Sequence, residues 1–312
     1  MDKLKVAVIG VGHLGQHHTR IYANMPEVQL VAVCDNNPRH AKKIARRYNA
    51  SFYTDYKDIL GKIDAASIAV PTELHFGIAK ELLENNIHCL VEKPITNDLG
   101  QARELAALAE KQKLILQVGH VERFNSAVRA VQHFVTSPRF IECHRMGPFK
   151  KRALDVGVVL DLMIHDIDII MFLVQSPVAS IEAVGINVLT DHEDIANARL
   201  KFANGAIANI SASRLSAAEM RKIRIFQPDA YISLDYVKKS AVVFRKSGKR
   251  ITRSTIPIKI KDALEQELSS FVDCIQKNQK PLVSGKEATE ALQIALQITK
   301  QINDKIQNPN DK

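Results

Sequence analysis

The chain has 312 residues, of which 46% are hydrophobic and 25% are charged, a composition typical of soluble globular proteins and long enough for two domains. No apolar run reaches the roughly 18 residues that a membrane span needs, and the N-terminus leads into a strand pattern without the apolar core of a signal peptide. We therefore expect a cytoplasmic protein with no membrane partner. The four cysteines are far apart and form no CxxC pair, which indicates reduced thiols and no metal site.

The net charge of +9 admits a nucleic acid or an anionic small molecule as a partner. No nucleic-acid motif is present, and the basic residues look dispersed along the chain, so we expect no nucleic-acid partner. The charge then belongs either to solvated helix faces or to a site for a phosphorylated substrate, and both interpretations stay open.

Strands and helices alternate along the first 120 residues. The run Lys5–Gly10 is apolar and ends in glycine, as expected for a strand buried on both faces. Further strands are predicted at Val28–Asp35, Ser67–Val70, His88–Glu92 and Leu114–Val118, with helices at 12–24, Pro38–Tyr48, Leu74–Asn85 and Leu99–Lys111. This alternation predicts a doubly wound parallel sheet, and so an N-terminal Rossmann domain over residues 1–120 in an α/β protein.

The pattern changes after Gly119. A long apolar helix is predicted at Val158–Val174, and closing helices at 262–276 and 285–306. Strand-like runs lie between them, at Val178–Leu189, Ala196–Phe202, Ala206–Ser213, Lys222–Phe226 and Ala230–Asp235, and Ala203-Asn204-Gly205 has the composition of a hairpin turn. Residues 121–312 are therefore predicted to form an α+β domain with a mostly antiparallel, open sheet.

A glycine motif opens the first predicted helix. Gly10-Val11-Gly12-His13-Leu14-Gly15 matches GxGxxG, follows a strand, and is followed 20 residues after Gly15 by Asp35 at the end of the second strand. In this context the glycines allow a tight turn and a close approach of the pyrophosphate to a helix N-terminus. Asp35 favours NAD over NADP, because a carboxylate accepts ribose hydroxyls and repels a 2′-phosphate, although the nearby Arg39 keeps NADP open as the less favoured cofactor.

Two further stretches lie at carboxyl ends of predicted parallel strands, where ligands of such sheets bind. One is Glu92-Lys93-Pro94, and the other contains Pro71, Thr72 and His75. We predict that both stretches contact the cofactor. The alternatives are a solvated lysine at the strand end and a helix N-cap at Thr72.

The predicted helix Val158–Val174 is apolar almost all round, as in a buried helix. At about 100° per residue, His165 and Asp168 fall about 40° and about −20° from Asp161, so these three residues share one narrow stripe. Unpaired buried charge is costly, so the stripe faces a pocket or partners, unless it is a thin solvated face. A metal site at this stripe is not favoured.

Two other stretches are candidates for substrate binding. Arg123 and Asn125 either line the cleft or link the domains, and the basic stretch that contains Lys150 and Arg152 is either an anion-binding loop or a surface loop.

Together these residues resemble the glucose–fructose oxidoreductase / inositol dehydrogenase / MocA (Gfo/Idh/MocA) family. The resemblance rests on GxGxxG, Glu92-Lys93-Pro94, the stretch from Gly119 to Asn125, and Asp161-x-x-x-His165, and it covers almost the whole chain. It implies an NAD-dependent sugar dehydrogenase whose C-terminal sheet builds a homodimer or homotetramer. The residue sequence from Asp161 to Asp168 most resembles that of the branch of the family that oxidises C3 of UDP-N-acetylglucosamine and supplies 3-amino sugars for lipid A. One departure is the single Gly157 where the family often has paired glycines.

The resemblance assigns roles to the candidate residues. His165 acts as general base, Asp161 orients His165 or the substrate, and Lys93 stabilises the developing alkoxide, unless Lys93 and His165 exchange the base role. The predicted cofactor-binding residues are Gly10, Gly12, His13, Leu14, Gly15, Asp35, Pro71, Thr72, His75, Glu92 and Lys93. The predicted substrate-binding residues are Arg123, Asn125, Lys150, Arg152, Asp161 and His165.

Two alternatives to this function remain. In the first, the chain catalyses the same reaction on an unactivated sugar or an inositol. In the second, it is a nucleotide-sensing binding protein without catalysis. The presence of Lys93, Asp161 and His165 argues against the sensor.

Overall fold

The computed structural model describes residues 2–149 and 156–307. Within these residues there are fourteen strands and eight α-helices. The strands are β1 (Leu4–Ile9), β2 (Val28–Cys34), β3 (Ser51–Tyr53), β4 (Ala65–Ile68), β5 (His88–Glu92), β6 (Leu116–Gly119), β7 (Phe140–Met146), β8 (Val178–Ile186), β9 (Ile195–Phe202), β10 (Ile207–Ser213), β11 (Met220–Gln227), β12 (Ala230–Asp235), β13 (Ser240–Ser247) and β14 (Arg250–Thr255). The helices are α1 (Gly15–Ala23), α2 (Pro38–Tyr48), α3 (His75–Glu84), α4 (Leu99–Gln112), α5 (Ser126–Val131), α6 (Ile164–Val174), α7 (Ala263–Lys277) and α8 (Gly285–Gln307).

The chain divides into two compact units. The first contains Met1–Val121 and Asp262–Glu290, and the second contains Glu122–Lys261 and Ala291–Lys312. The predicted domains, residues 1–120 and 121–312, stay a prediction. The compact units are divided at nearly the same place, but Asp262–Glu290 belongs to the first unit and not to the second.

The first unit is built on a six-stranded parallel sheet in the order β3-β2-β1-β4-β5-β6, which confirms the predicted doubly wound sheet. The order reverses direction between β1 and β4, and the crevice at such a switch point is where ligands of this architecture bind. Val6, Ala7 and Val8 of β1 are fully buried, which explains the unbroken apolar run that predicted this strand.

Helix α7 completes the core of the first unit from a distant part of the sequence. Leu268 and Phe271 are fully buried in one cluster with Val8 of β1 and Tyr22 of α1. The side chain of Gln117, in the edge strand β6, donates a hydrogen bond to the backbone oxygen of Glu267 in α7 at 3.0 Å.

The second unit contains an eight-stranded sheet in the order β14-β13-β12-β11-β7-β10-β9-β8. Only β7 and β10 pair in parallel, so the predicted mostly antiparallel sheet is confirmed. The predicted hairpin turn joins β9 to β10, and Gly205 supplies its left-handed backbone with a φ of +83°.

The predicted helix Val158–Val174 is not one regular α-helix. Val159–Met163 form a π-helical turn, and α6 follows from Ile164. A helical period of 3.6 residues cannot reveal such a turn, so the predicted stripe of Asp161, His165 and Asp168 is altered. Turns of this kind are frequent at functional sites.

The net charge is concentrated in one part of the second unit. Residues 237–261 carry nine lysines and arginines and no acidic residue, which equals the whole net charge of +9. All six residues of β14, the edge strand, are exposed. The basic residues are spread along the chain, as expected, but elsewhere acidic residues balance them. Like charge along this edge opposes its pairing with the same edge of another copy.

None of the helices in the described ranges is long and apolar enough to cross a membrane. The cytoplasmic location stays a prediction. The four cysteine side chains are buried, and residues 2–149 and 156–307 contain no group of three or more His, Cys, Asp or Glu side chains that could hold a metal ion.

Candidate active site

The glycine turn between β1 and α1 is shaped by two close approaches. Gly10 has a φ of +82°, and a Cβ atom there would lie 2.6 Å from the carbonyl oxygen of Ala69. A Cβ atom at Gly15 would lie 1.8 Å from the carbonyl oxygen of Gly10. These two positions therefore require glycine, because no side chain fits them.

Gly12 differs from its two neighbours, since a Cβ atom there would meet nothing within 4 Å. The protein itself gives no packing reason for a glycine at this position. His13 and Leu14 are exposed, and α1 begins without a side-chain cap at Leu14. The turn thus presents backbone and the N-terminus of a helix to open space, as an anionic phosphate group requires.

The carboxylate of Asp35 is held at this turn. One oxygen accepts a hydrogen bond from the backbone N–H of Val11 at 3.0 Å, and the other accepts from the N–H of Asn37 at 2.9 Å. The side chain keeps 14% of its surface exposed. A fixed, partly accessible carboxylate in this position fits a ribose diol, as predicted.

A cavity of about 500 Å³ lies beside the turn in the first unit. Its lining includes the predicted Gly10, Gly12, Asp35 and Pro71. It also includes residues that the sequence did not point to, namely Thr54, Asp55, Tyr56, Leu74 and Ile78. The first three follow β3, whose three residues are too few to reveal a strand by periodicity.

Thr72 and His75 follow Pro71 but do not line this cavity. Thr72 begins a short 3₁₀ turn. The ring nitrogens of His75 lie 2.9 Å from the carbonyl oxygen of Pro94 and 3.0 Å from that of Val70. Burial lowers the pKa of His75, so the ring is neutral and its single N–H can donate to only one of these two carbonyl oxygens at a time. His75 therefore packs between the two loops rather than facing the cavity.

Glu92 is the last residue of β5, and Lys93 and Pro94 follow it, as predicted, with a cis peptide bond between them. The Lys93 side chain is half-buried, whereas Glu92 is 8% exposed and lies against His18 in the protein interior. Of this predicted cofactor-binding triplet, Glu92 therefore faces inward.

In the second unit, arginine side chains neutralise two acids of α6. Arg145 donates two hydrogen bonds to the carboxylate of Asp166, at 2.7 and 2.9 Å. Asp168 lies 3.4 Å from Arg123, whose guanidinium lies 3.9 Å from the centre of the Phe172 ring. All four charged side chains are almost fully buried, and each carboxylate has its countercharge in place.

The two other ionisable residues of this helical segment are half-buried. Asp161 lies in the π-helical turn and His165 in the first turn of α6. The structure therefore separates the predicted stripe, because Asp161 and His165 are accessible and Asp168 is not. Asp161 and His165 are therefore the predicted catalytic residues of this segment whose side chains solvent can reach.

Gly157, two residues before the π-helical turn, is a position where no side chain fits. A Cβ atom at Gly157 would overlap the carboxylate of Glu193, at 2.0 Å from its nearest oxygen. That carboxylate accepts a hydrogen bond from the N–H of Val159 at 3.2 Å and so caps the helical segment.

The remaining predicted substrate-binding residues have structural contacts or lie outside the described residues. Asn125 accepts a hydrogen bond from the N–H of Ala127 as N-cap of α5, and donates one to Glu122 at 3.0 Å. Arg123 is held by Asp168 and Phe172, as described. Lys150 and Arg152 lie outside the described residues.

Comparison with known proteins identifies the family. A UDP-N-acetylglucosamine 3-dehydrogenase from Acidithiobacillus ferrooxidans is 33% identical over 305 residues, which cover 96% of this chain and 97% of the relative. The family model for the oxidoreductase family, NAD-binding Rossmann fold, matches residues 4–120, and that for the GFO/IDH/MocA C-terminal domain matches residues 123–232. The chain belongs to the Gfo/Idh/MocA oxidoreductase family. It is an NAD-binding oxidoreductase, as the sequence predicted.

Other comparisons agree with this membership. A solved structure of the Acidithiobacillus ferrooxidans enzyme superimposes with a TM-score of 0.93 at 32% identity and covers 97% of this chain and 99% of its own. A scyllo-inositol 2-dehydrogenase (NAD(+)) from Bacillus subtilis is 25% identical over 326 residues, 95% of this chain and 93% of the relative. The family thus includes relatives with two kinds of substrate. The open space at Gly12, the uncapped start of α1 and the carboxylate of Asp35 fit the NAD that the family binds.

A substitution at Gly12 separates cofactor binding from folding. In Gly12→Ala the added methyl group has room in the protein but occupies the space for the pyrophosphate. We expect the dissociation constant for NADH to rise by at least about tenfold, about 1.4 kcal/mol, with an unchanged melting temperature. Fluorescence titration with NADH and a thermal melt measure the two quantities. The matched variant Gly15→Ala, whose methyl group meets backbone, should lower the melting temperature, and wild-type NADH affinity in Gly12→Ala would contradict the assigned site.

Proposed function

We propose that this chain oxidises C3 of a UDP-N-acetylhexosamine to a ketone, with NAD as the oxidant. The observation that carries the proposal is 33% identity, over nearly the full length of both chains, to a UDP-N-acetylglucosamine 3-dehydrogenase. This is the function that the resemblance implied. In that branch of the family, transamination of the 3-keto product gives a 3-amino sugar for lipid A.

The reacting groups come from Lys93 and from the accessible part of the helical segment. NAD, when bound, supplies the hydride acceptor. His165 takes the proton of the sugar hydroxyl, because imidazole side chains ordinarily titrate near neutrality, at a pKa of about 6.5. Lys93 stabilises the developing alkoxide through its positive charge, and Asp161 orients His165 or the sugar.

The pairing of the neighbouring acids supports this division of roles. Asp166 and Asp168 are each held by an arginine, so neither is available to accept a proton without breaking a buried ion pair. Asp161 and His165 carry the accessible ionisable side chains of this segment.

A second candidate is the same reaction on an unactivated sugar or cyclitol. The 25% identity to a scyllo-inositol 2-dehydrogenase favours keeping it. The proposed cofactor is NAD in both cases, so only the substrate distinguishes the two.

A substrate panel tests the proposal. The protein is incubated with NAD and either UDP-N-acetylglucosamine, free N-acetylglucosamine, glucose or an inositol, with a ketone trap to pull the reaction forward, and NADH absorbance is followed. We expect kcat/KM for the nucleotide sugar to exceed the others by more than about tenfold, since binding of the non-reacting nucleotide contributes to the transition state. Equal or higher values for an inositol would support the second candidate, and NADH formation with none of them would remove both.

Substitution of the reacting groups tests the mechanism. Lys93→Met and His165→Ala should each lower kcat by about 10²–10⁴-fold, whereas Lys80→Met, at an exposed lysine paired with Glu104, should not. The base must be deprotonated, so the wild-type rate falls as the pH falls through its pKa. The variant whose pH–rate profile loses that acid limb identifies the base. Wild-type turnover in both variants would show the assignment to be wrong.

We further propose that the chain forms a homodimer or homotetramer through the open face of its second sheet. Four rings stack across adjacent strands of this face, with centroids 5.6, 4.8 and 5.3 Å apart, and they belong to Phe140, Phe226, Tyr231 and Phe244. All four are half-buried, and such contiguous aromatic area is typical of protein interfaces.

Light scattering after gel filtration tests this assembly. The wild type should have a multiple of the 34.8 kDa chain mass, and Phe226→Arg should shift it towards the monomer by placing a charge in the middle of the ring stack. Phe52→Arg, at a 41% exposed phenylalanine of the first unit, is the control that should leave the mass unchanged. A monomeric wild type would contradict the proposal.

A further inference from the structure

A buried contact between a histidine and a carboxylate joins the helix of the glycine turn to the strand that leads to Lys93. The Nε2 atom of His18 in α1 lies 3.0 Å from Oε1 of Glu92, the last residue of β5. His18 is fully buried and Glu92 is 8% exposed. Burying a carboxylate in a protein interior is costly unless it is paired, so this contact is a specific feature of the site.

The second oxygen of Glu92 is held by the residues on its other sides. Oε2 accepts a hydrogen bond from the backbone N–H of Lys93 at 3.3 Å. Gly119 on β6 is paired with Glu92 in the sheet. A Cβ atom at Gly119 would lie 2.7 Å from Oε2, so this oxygen occupies the space that a side chain there would need. The carboxylate is thus fixed between α1, β6 and the backbone of Lys93.

The charge state of Glu92 agrees with this geometry. Burial alone would raise its pKa, but the hydrogen bond and charge of His18, together with the N–H and charge of Lys93, hold the pKa below its ordinary value. Glu92 is therefore an ionised carboxylate at neutral pH.

We propose that His18 is a positioning residue that acts through Glu92 to fix Lys93 relative to the glycine turn. This inference rests on the proposed role of Lys93. It assigns a part in the reaction to a residue of α1 that does not line the cavity beside the glycine turn. A displacement of a reacting group by about 1 Å can cost about 10²-fold in rate, so loss of this contact should be measurable.

The test compares two substitutions of His18. Gln keeps an N–H donor near the position of Nε2, and Leu removes it. We expect His18→Leu to lower kcat by at least about tenfold with the NADH dissociation constant within about threefold of the wild type, and His18→Gln to recover most of the rate. If His18→Leu does not fold, the isosteric Glu92→Gln takes its place and should show the same split between kcat and NADH affinity.

The matched control is Tyr22→Phe on the same helix. The Tyr22 hydroxyl forms a buried hydrogen bond with Ser67 at 2.9 Å, so Tyr22→Phe removes a buried interaction of the same helix and leaves the contact between His18 and Glu92 in place. We expect this variant to melt at a lower temperature and to keep its kcat. If Tyr22→Phe and His18→Leu lose the same fraction of kcat, the positioning role is overturned.

A second readout needs no sugar and therefore separates this inference from the proposed function. The rate at which trinitrobenzenesulfonate modifies Lys93 is followed by mass spectrometry across a pH series, with NADH bound and with the exposed Lys80 as internal reference. We expect His18→Leu to change the relative rate at Lys93 by at least threefold and His18→Gln and Tyr22→Phe to leave it near that of the wild type. An unchanged rate in His18→Leu would overturn the proposal, even if no sugar is ever turned over.

Discussion

The backbone contact between Gly10 and Gly15 is the constraint on which the arrangement of the first unit depends. Because α1 begins in contact with the end of β1, its N-terminus reaches the carboxyl edge of the sheet. The same approach brings the N–H of Val11 to Asp35 and places His18 beside Glu92. One close contact thus orders the cofactor turn, the carboxylate at its side and the strand end that carries Lys93.

In the second unit, the cost of burying charge decides which acidic groups are available. Arg145 and Arg123 hold Asp166 and Asp168 in the interior, where an unpaired carboxylate would destabilise the fold by several kcal/mol. Asp161 lies in the π-helical turn, and His165 follows it in α6. Of the four ionisable residues of this helical segment, Asp166 and Asp168 are buried in ion pairs, and Asp161 and His165 are the two half-buried residues to which the proposal assigns chemistry.

The sequence predicts the elements whose pattern is local. The apolar run of β1, the glycine turn with Asp35 and the hairpin at Gly205 are each recognisable from a residue pattern in the sequence, although the contacts that explain Gly10 and Asp35 are made by residues distant in the chain. The π-helical turn was missed because regular periodicity does not contain it, and β14 because its six residues are exposed and have no alternating pattern. His18 carried no signal, since its partner Glu92 lies on strand β5, and the contact of Arg123 with Asp168 depends likewise on tertiary packing.

The return of α7 to the first unit has a consequence for how the protein is built along the chain. The second unit is, in terms of sequence, largely an insertion within the first, because the fully buried Phe271 is contributed more than a hundred residues after β6 ends. A segment cut near residue 120 would expose the apolar surface that α7 covers. The cofactor domain is therefore not a transferable N-terminal module, and the ribosome must release nearly the whole chain before its core can close.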